Sequence, residues 1–126
     1  MPLVRIDLRR GKSAAYKGAI CDGVYRAMTE TFTVPKDDRF LVVNEHEADN
    51  FVHAESYLGI KYSDDLVLIQ ITANDTRTTG QKQAFFARIA ELLAESPGLR
   101  KEDVWINLVE VKKENWSFGN GIAQYV

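Results

Sequence analysis

The sequence predicts an α/β fold in the two-layer α+β sense, a tandem β-α-β repeat whose four-stranded sheet carries two helices on one face. Three observations predict it. Val4, Ile6 and Leu8 alternate with Arg5, Asp7 and Arg9, the period of a strand with one buried face. Two later stretches, beginning after Ser13 and Thr78, carry apolar residues at helical spacing. Shifting the sequence by 65 residues without a gap lays Ile6 on Ile71, Lys17 on Lys82, Val24 on Ile89, Asp38 on Asp103, Phe40 on Trp105, Glu45 on Glu110 and Phe51 on Trp116. Helix, turn and strand all keep one offset, which makes two copies of a β-α-β unit, about 1–61 and 66–126, in a single domain spanning 1–126.

The first strand opens on Pro2, tolerated at a strand head because its missing N–H breaks no internal ladder, and Gly11 marks the turn that ends it. Ser13 caps a helix running to Thr31 or Phe32, striped by Tyr16, Ile20, Val24 and Met28. Pro35 closes that region, Lys36-Asp37-Asp38 turns, and Arg39 to Glu45 reads as a second strand with Phe40, Val42 and Asn44 on one face. His46 to Asp64 is a long connection with a short hairpin around Tyr57-Leu58-Gly59-Ile60.

Leu66 to Ile71 is the strongest apolar run and predicts a central strand. Thr78 with Gln81 makes a capping box, and Phe85, Ile89 and Leu92/Leu93 stripe the second helix until Pro97-Gly98 stops it. Val104 to Val111 is the last strand, and the tail Ile122 to Val126 is expected to pair with a neighbouring sheet edge. A crossover helix makes the strands of each unit parallel. Helices on one face leave the other bare, so an oligomer packing sheet against sheet is expected.

Composition excludes several classes. Of the 126 residues 45% are hydrophobic and 27% charged, the balance of an ordinary globular chain and not of a disordered one. A formal charge of -2 without a basic, aromatic-studded patch gives no reason to expect nucleic acid. No run reaches membrane-span length, the start is a strand and not a signal segment, and the cytoplasm is the expected compartment. Cys21 stands alone inside a predicted helix and reads as packing.

No zinc spacing, phosphate loop or nucleophile elbow is present. His46 and His53 read as strand-end and connection residues. The polar candidates that remain are Pro2, Asp38, Arg39, Asn74, Asp75 and Arg77. If Met1 is removed, Pro2 becomes a terminal secondary amine able to hold or release a proton, the chemistry that a general acid or base requires. Singly, Asp38 is also readable as a turn carboxylate and Arg77 as a helix-start cation.

Met1-Pro2 opening a strand, the 65-residue repeat, the Val34-Pro35-Lys36-Asp37-Asp38-Arg39 turn and the segment from Glu110 through Trp116-Ser117-Phe118-Gly119-Asn120-Gly121 together resemble the tautomerase superfamily, and within it malonate semialdehyde decarboxylase and its relatives. The resemblance implies a homotrimer of tautomerase-like fold, no cofactor and no metal. It implies Pro2 as the catalytic proline, Asp38 as the active-site aspartate, Arg77 as one of two arginines that bind substrate carboxylate, and Trp116 and Phe118 as pocket walls. The position of the first arginine holds Asp75, which either pairs with Arg77 or points outward.

Three readings follow. One is a cofactor-independent decarboxylase of a short 3-oxo acid such as malonate semialdehyde, with protonated Pro2. The second is a keto–enol tautomerase or hydratase of small 2-oxo or unsaturated acids, with Pro2 as free base or Asp38 activating water. The third is a non-catalytic trimeric binding protein. The expected partner is a small carboxylic acid, with no membrane or nucleic acid.

Overall fold

A computed structural model describes residues 2–126. The processing of Met1 concerns a residue outside the described ones. In chain order the elements are β1 (Leu3–Arg9), α1 (Ala14–Thr31), β2 (Leu41–His46), β3 (Ser56–Tyr57), β4 (Ile60–Lys61), β5 (Val67–Asn74), α2 (Thr79–Glu95) and β6 (Val104–Val111).

The main sheet runs β2-β1-β5-β6, with β1 and β2 parallel, β5 and β6 parallel, and the central pair β1 and β5 antiparallel. The two units therefore meet head to tail across their first strands. Their internal registers correspond: Val4 faces Leu41 in the first, and the shifted pair, Ile69 and Ile106, faces in the second. Arg5 pairs with Gln70, its own repeat mate, which puts a pseudo-twofold axis through that point. Even a side-chain contact repeats. Lys17 Nζ meets Glu45 Oε1 at 2.6 Å, and Lys82 Nζ meets Glu110 Oε1 at 2.6 Å.

Both helices start where their capping residues stand. Ser13 accepts from the Tyr16 N–H, and Thr78 forms a reciprocal box with Gln81, so donors that an unmade helix end leaves orphaned are satisfied. The helix α1 stops at Phe32, before Thr33 with a φ of 52°, and α2 stops before Gly98, whose φ of 99° frees its N–H to reach the Leu93 carbonyl at 3.1 Å. The core lies between sheet and helices: Val4, Ile6, Leu8, Val67, Ile69 and Ile71 pack on Ile20, Val24, Met28, Phe85, Ile89 and Leu93. Burying each such side chain contributes about 1.5–3 kcal/mol relative to exposure. At Gly23 the helices are close enough that a Cβ would sit 2.7 Å from Leu93 Cδ2. Cys21 is half-buried against this core, and burial pushes its thiol above the ordinary value.

On β2 the residues facing the helices are Leu41 and Val43. Phe40 and Val42 stand on the opposite, bare face together with Trp105 and Val109. The expected hairpin is present as β3 and β4, turning through Leu58 and Gly59, both with positive φ. The tail departs from expectation in part: within the chain it forms no strand, and Gln124 instead folds it back, its side chain accepting from the Phe118 N–H at 2.9 Å and donating to the Gly119 carbonyl at 3.0 Å. No helix is long and apolar enough to cross a membrane among the described residues.

Candidate active site

Pro2 is buried at the head of β1, where the antiparallel register brings it beside the C-terminal end of β5. A cavity of about 240 Å³ opens there, lined by Pro2, Leu3, Phe40, Trp116, Ser117 and Phe118. Three of these, Pro2, Trp116 and Phe118, are residues singled out by sequence. Leu3, Phe40 and Ser117 are not: the sequence groups Phe40 with Val42 on one face of the second strand, but does not say which face meets the core.

The aromatic wall is built stepwise. Trp116 Nε1 donates to Asn74 Oδ1 at 2.8 Å, and Asn74 is buried at the last position of β5. Trp116 stacks on Phe118 with centroids 5.5 Å apart and planes 20° from parallel, and Phe118 meets Tyr125 edge-on at 5.1 Å. The tail thus braces the ring that faces Pro2, and a strand-end amide fixes the indole.

Asp38 and Arg77 are not among the residues lining this cavity; Arg77 lies against Phe32, just past the end of α1, and near Asp38. They act on each other. Burial raises the Asp38 carboxyl above its ordinary value, and the Arg77 guanidinium opposes that rise. Asp38 Oδ1 is buried and has no hydrogen-bond partner among the described residues. Arg77 donates from one terminal nitrogen to the Phe32 carbonyl at 2.9 Å and lies over the Phe32 ring at 4.9 Å, which orients the guanidinium while leaving other N–H donors uncommitted to carboxylate.

Asp75 is exposed, its N–H bound to the Val111 carbonyl at 3.0 Å, and it forms no ion pair with Arg77 among the described residues. Arg39 is drawn away from Pro2 altogether: it pairs with Asp22 and lies over the Tyr25 ring at 4.8 Å. His46 is half-buried, with its Nε2–H donating to Asp7 Oδ1 at 2.7 Å near the other end of β1.

Two tautomerase family models, each described as "Tautomerase enzyme", match residues 38–119 and 2–60. The chain belongs to the tautomerase superfamily. It is 39% identical over 126 residues to the probable tautomerase YusQ of Bacillus subtilis (strain 168), covering all of this chain and 99% of that one. Among solved structures it is similar to malonate semialdehyde decarboxylase, known as wild-type, mutant and inactivated enzyme with decarboxylase and hydratase activities, at 31% identity and a TM-score of 0.91 over 98% of this chain and 95% of that one. It is also similar to FG41 malonate semialdehyde decarboxylase inhibited by 3-bromopropiolate, at 36% identity and a TM-score of 0.90 over 98% and 93%. A fused 4-OT symmetric trimer shares the fold, with a TM-score of 0.81 at 19% identity over 98% and 97%. These likenesses place the chain in the malonate semialdehyde decarboxylase-like subgroup of a superfamily of enzymes.

Proposed function

We propose that this tautomerase decarboxylates a short 3-oxo acid, with malonate semialdehyde as the reference substrate, using Pro2 as an amino-terminal acid. The observation that carries the reading is Pro2 buried in a small aromatic-walled cavity at the sheet end where Arg77 and the open carboxyl of Asp38 also stand. Once Met1 is removed, the Pro2 nitrogen is a secondary amine that is protonated when it donates to the 3-oxo group. Arg77 holds the carboxylate. As the bond to carbon dioxide breaks, its electron pair moves toward the 3-oxo carbon, and the developing enolate oxygen is stabilised by the donor already aimed at it. Trp116 and Phe118 wall off water and fix the plane of the substrate.

Asp38 favours the protonated amine as a nearby carboxylate, and its unpartnered Oδ1 is the atom available to orient a water. That same atom favours a second reading, hydration of an unsaturated acid with Asp38 as base and Pro2 as proton donor, and the two activities are compatible in one pocket. A tautomerase reading requires the opposite protonation state of Pro2 at working pH. Asp75, in the position of the first of the two arginines, is exposed and supplies no cation, so the carboxylate is held by one fork and selectivity among short acids is relaxed.

The working assembly is a homotrimer in the cytoplasm. The bare sheet face with Phe40, Val42, Trp105 and Val109 exposed supports it, as does the shared fold with a trimeric protein. The test is intact mass to establish loss of Met1, followed by carbon dioxide release from a panel of 3-oxo, enol and unsaturated acids. Release from the 3-oxo acids by the processed protein alone supports the reading, and equal rates for Pro2→Ala and parent overturn it.

A further inference from the structure

The two helices end on the same turn, but different residues fill it. Shifted by 65 residues, Met28, Thr33 and Val34 become Leu93, Gly98 and Leu99. The Val34 N–H reaches the Met28 carbonyl at 3.4 Å, and its mate, the Leu99 N–H, reaches the Leu93 carbonyl at 2.9 Å. At the residue that makes each turn φ is positive, 52° at Thr33 and 99° at Gly98. Glycine meets no steric penalty there, whereas a β-branched residue with positive φ is an outlier that costs stability. The strained residue lies in the unit that carries Pro2 and Asp38.

The hydroxyl of Thr33 does not account for the exchange. Thr29 and Thr31 return their hydroxyls to carbonyls of α1, each at 2.8 Å, but Thr33 makes no side-chain hydrogen bond among the described residues. The chain on either side of it does more than its counterpart. Just before Thr33, the Phe32 carbonyl accepts from Arg77 at 2.9 Å and the Phe32 ring lies under that guanidinium at 4.9 Å. The counterpart of Arg77 is Lys12, which is paired with Asp65 at 2.7 Å, so the mate of Phe32, Pro97, orients no cation among the described residues. Just after Thr33, Val34 is buried and the chain runs through Pro35 to Asp38. That segment is tied to α1, where the Tyr25 hydroxyl donates to the Lys36 carbonyl and Arg39 pairs with Asp22. Thr33 thus joins the residue that aims Arg77 to the turn that carries Asp38.

We propose that Thr33 is a positioning residue of the Pro2 site: its branched side chain, held in a left-handed turn, narrows the backbone freedom between Phe32 and Asp38 and so fixes the aim of the Arg77 guanidinium. The proposal rests on the reading of Arg77 as the group that holds the substrate carboxylate. A branched residue at positive φ has few neighbouring conformations to visit, and glycine at the same place has many. Strain of this kind persists where the surroundings over-determine it, here through the Met28 carbonyl, the buried side chains of Phe32 and Val34, and the Tyr25 contact. The mate turn aims no cation and has the residue that suits its backbone.

The experiment compares Thr33→Gly, Thr33→Val and, in the mate turn, Gly98→Ala with the parent. It uses steady-state kinetics on a 3-oxo acid, thermal unfolding, and the NMR signal of the Arg77 Nε–H, which the Phe32 ring displaces. In Thr33→Gly the expected result is a kcat/KM about tenfold lower, mostly through KM, with the Arg77 signal moved towards that of free arginine. Its Tm is no lower than the parent's, because release from the left-handed penalty offsets the freedom that glycine adds to the unfolded chain. Thr33→Val has the branch without the hydroxyl and retains the parental kinetics and Arg77 signal. Gly98→Ala, whose new Cβ meets open space but an unsuitable φ, lowers Tm by about 4 °C and leaves the kinetics unchanged. Parental kinetics with an unmoved Arg77 signal in Thr33→Gly, a loss in Thr33→Val as large as in Thr33→Gly, or an equal kinetic loss in Gly98→Ala each overturn the proposal. The Arg77 signal needs no turnover, so a parent that releases no carbon dioxide defeats the decarboxylase reading while that signal still decides the role of Thr33.

Discussion

Asp38 and Asp103 occupy the same position in the two halves of the chain and have opposite surroundings. Asp103 is closed: Ser63 donates to both of its oxygens, and Arg100 stands 3.5 Å from one of them. Asp38 is open, with a buried oxygen that no described residue meets and a carboxyl that burial pushes up. A duplicated unit has thus settled one carboxylate into structure and left the other with an unspent acceptor beside a cationic side chain. Unsatisfied buried polar atoms cost stability, so one that persists marks a place where a ligand or a water completes the set.

The comparison is sharpened most by the cation on the open side. Arg77→Ala should cost about 2–4 kcal/mol of transition-state stabilisation, on the order of 30- to 1000-fold in kcat/KM for an acid substrate, with Arg77→Lys recovering only part because it lacks the planar fork. Steady-state kinetics check it, and an unimpaired Arg77→Ala enzyme would remove Arg77 from the mechanism. The two aspartates should then separate cleanly. Asp103→Ala strips the partner from a buried amide and hydroxyl and should destabilise the fold by about 2–4 kcal/mol in urea unfolding. Asp38→Asn should lower kcat/KM about 100-fold while stability at neutral pH holds or rises. The sign follows from linkage: the folded carboxyl of Asp38 is raised above its unfolded value, so its contribution is favourable below the unfolded pKa and is lost as pH rises through the folded one.

A smaller effect concerns pH. The Arg77 charge favours the Asp38 carboxylate, so Arg77→Ala should move the acidic limb of the kcat/KM profile to higher pH, and Asp38→Asn should abolish that limb. An unmoved limb in the Arg77 variant would mean that another group titrates there. Smallest of all, Asn74→Leu removes the acceptor of the Trp116 indole and should cost about 1 kcal/mol in stability, with a measurable change in indole emission. In sedimentation, the parent at micromolar concentration should run at about three times the 14.3 kDa chain mass.

How much of this was legible in sequence depends on whether the determinant is local. The caps at Ser13 and Thr78, the hairpin turn at Leu58-Gly59 and the helix stop at Pro97-Gly98 are written in neighbouring residues, and the structure has them where the sequence puts them. The repeat was legible because a constant offset survives substitution, and it carried register as well as order: Val4 with Leu41 in one unit, Ile69 with Ile106 in the other. Which face of β2 meets the core was not, because Phe40-Leu41-Val42-Val43 is apolar throughout and only packing chooses Leu41 and Val43.

At the site, Pro2, Trp116 and Phe118 could be named from their motif, whereas Leu3, Phe40 and Ser117 line the same cavity through sheet geometry alone. The fates of Asp38 and Asp103 are the clearest limit. Each stands in a turn before a strand, and nothing local distinguishes them. The difference is made by Ser63, 40 residues away from Asp103, and by the capture of Arg39 by Asp22 and Tyr25, which keeps that cation from answering Asp38.

The central claim is that only the first unit carries a reactive group, the secondary amine of a processed Pro2. It is tested most directly by treating the protein with 3-bromopropiolate, an electrophilic acid, and mapping the modified peptide by mass spectrometry. The account predicts modification of the Pro2 nitrogen in chains that have lost Met1, in step with loss of decarboxylation, and slower labelling in Arg77→Ala. Modification at Cys21 or a lysine with Pro2 untouched, or full activity in a protein fully labelled at Pro2, would contradict it.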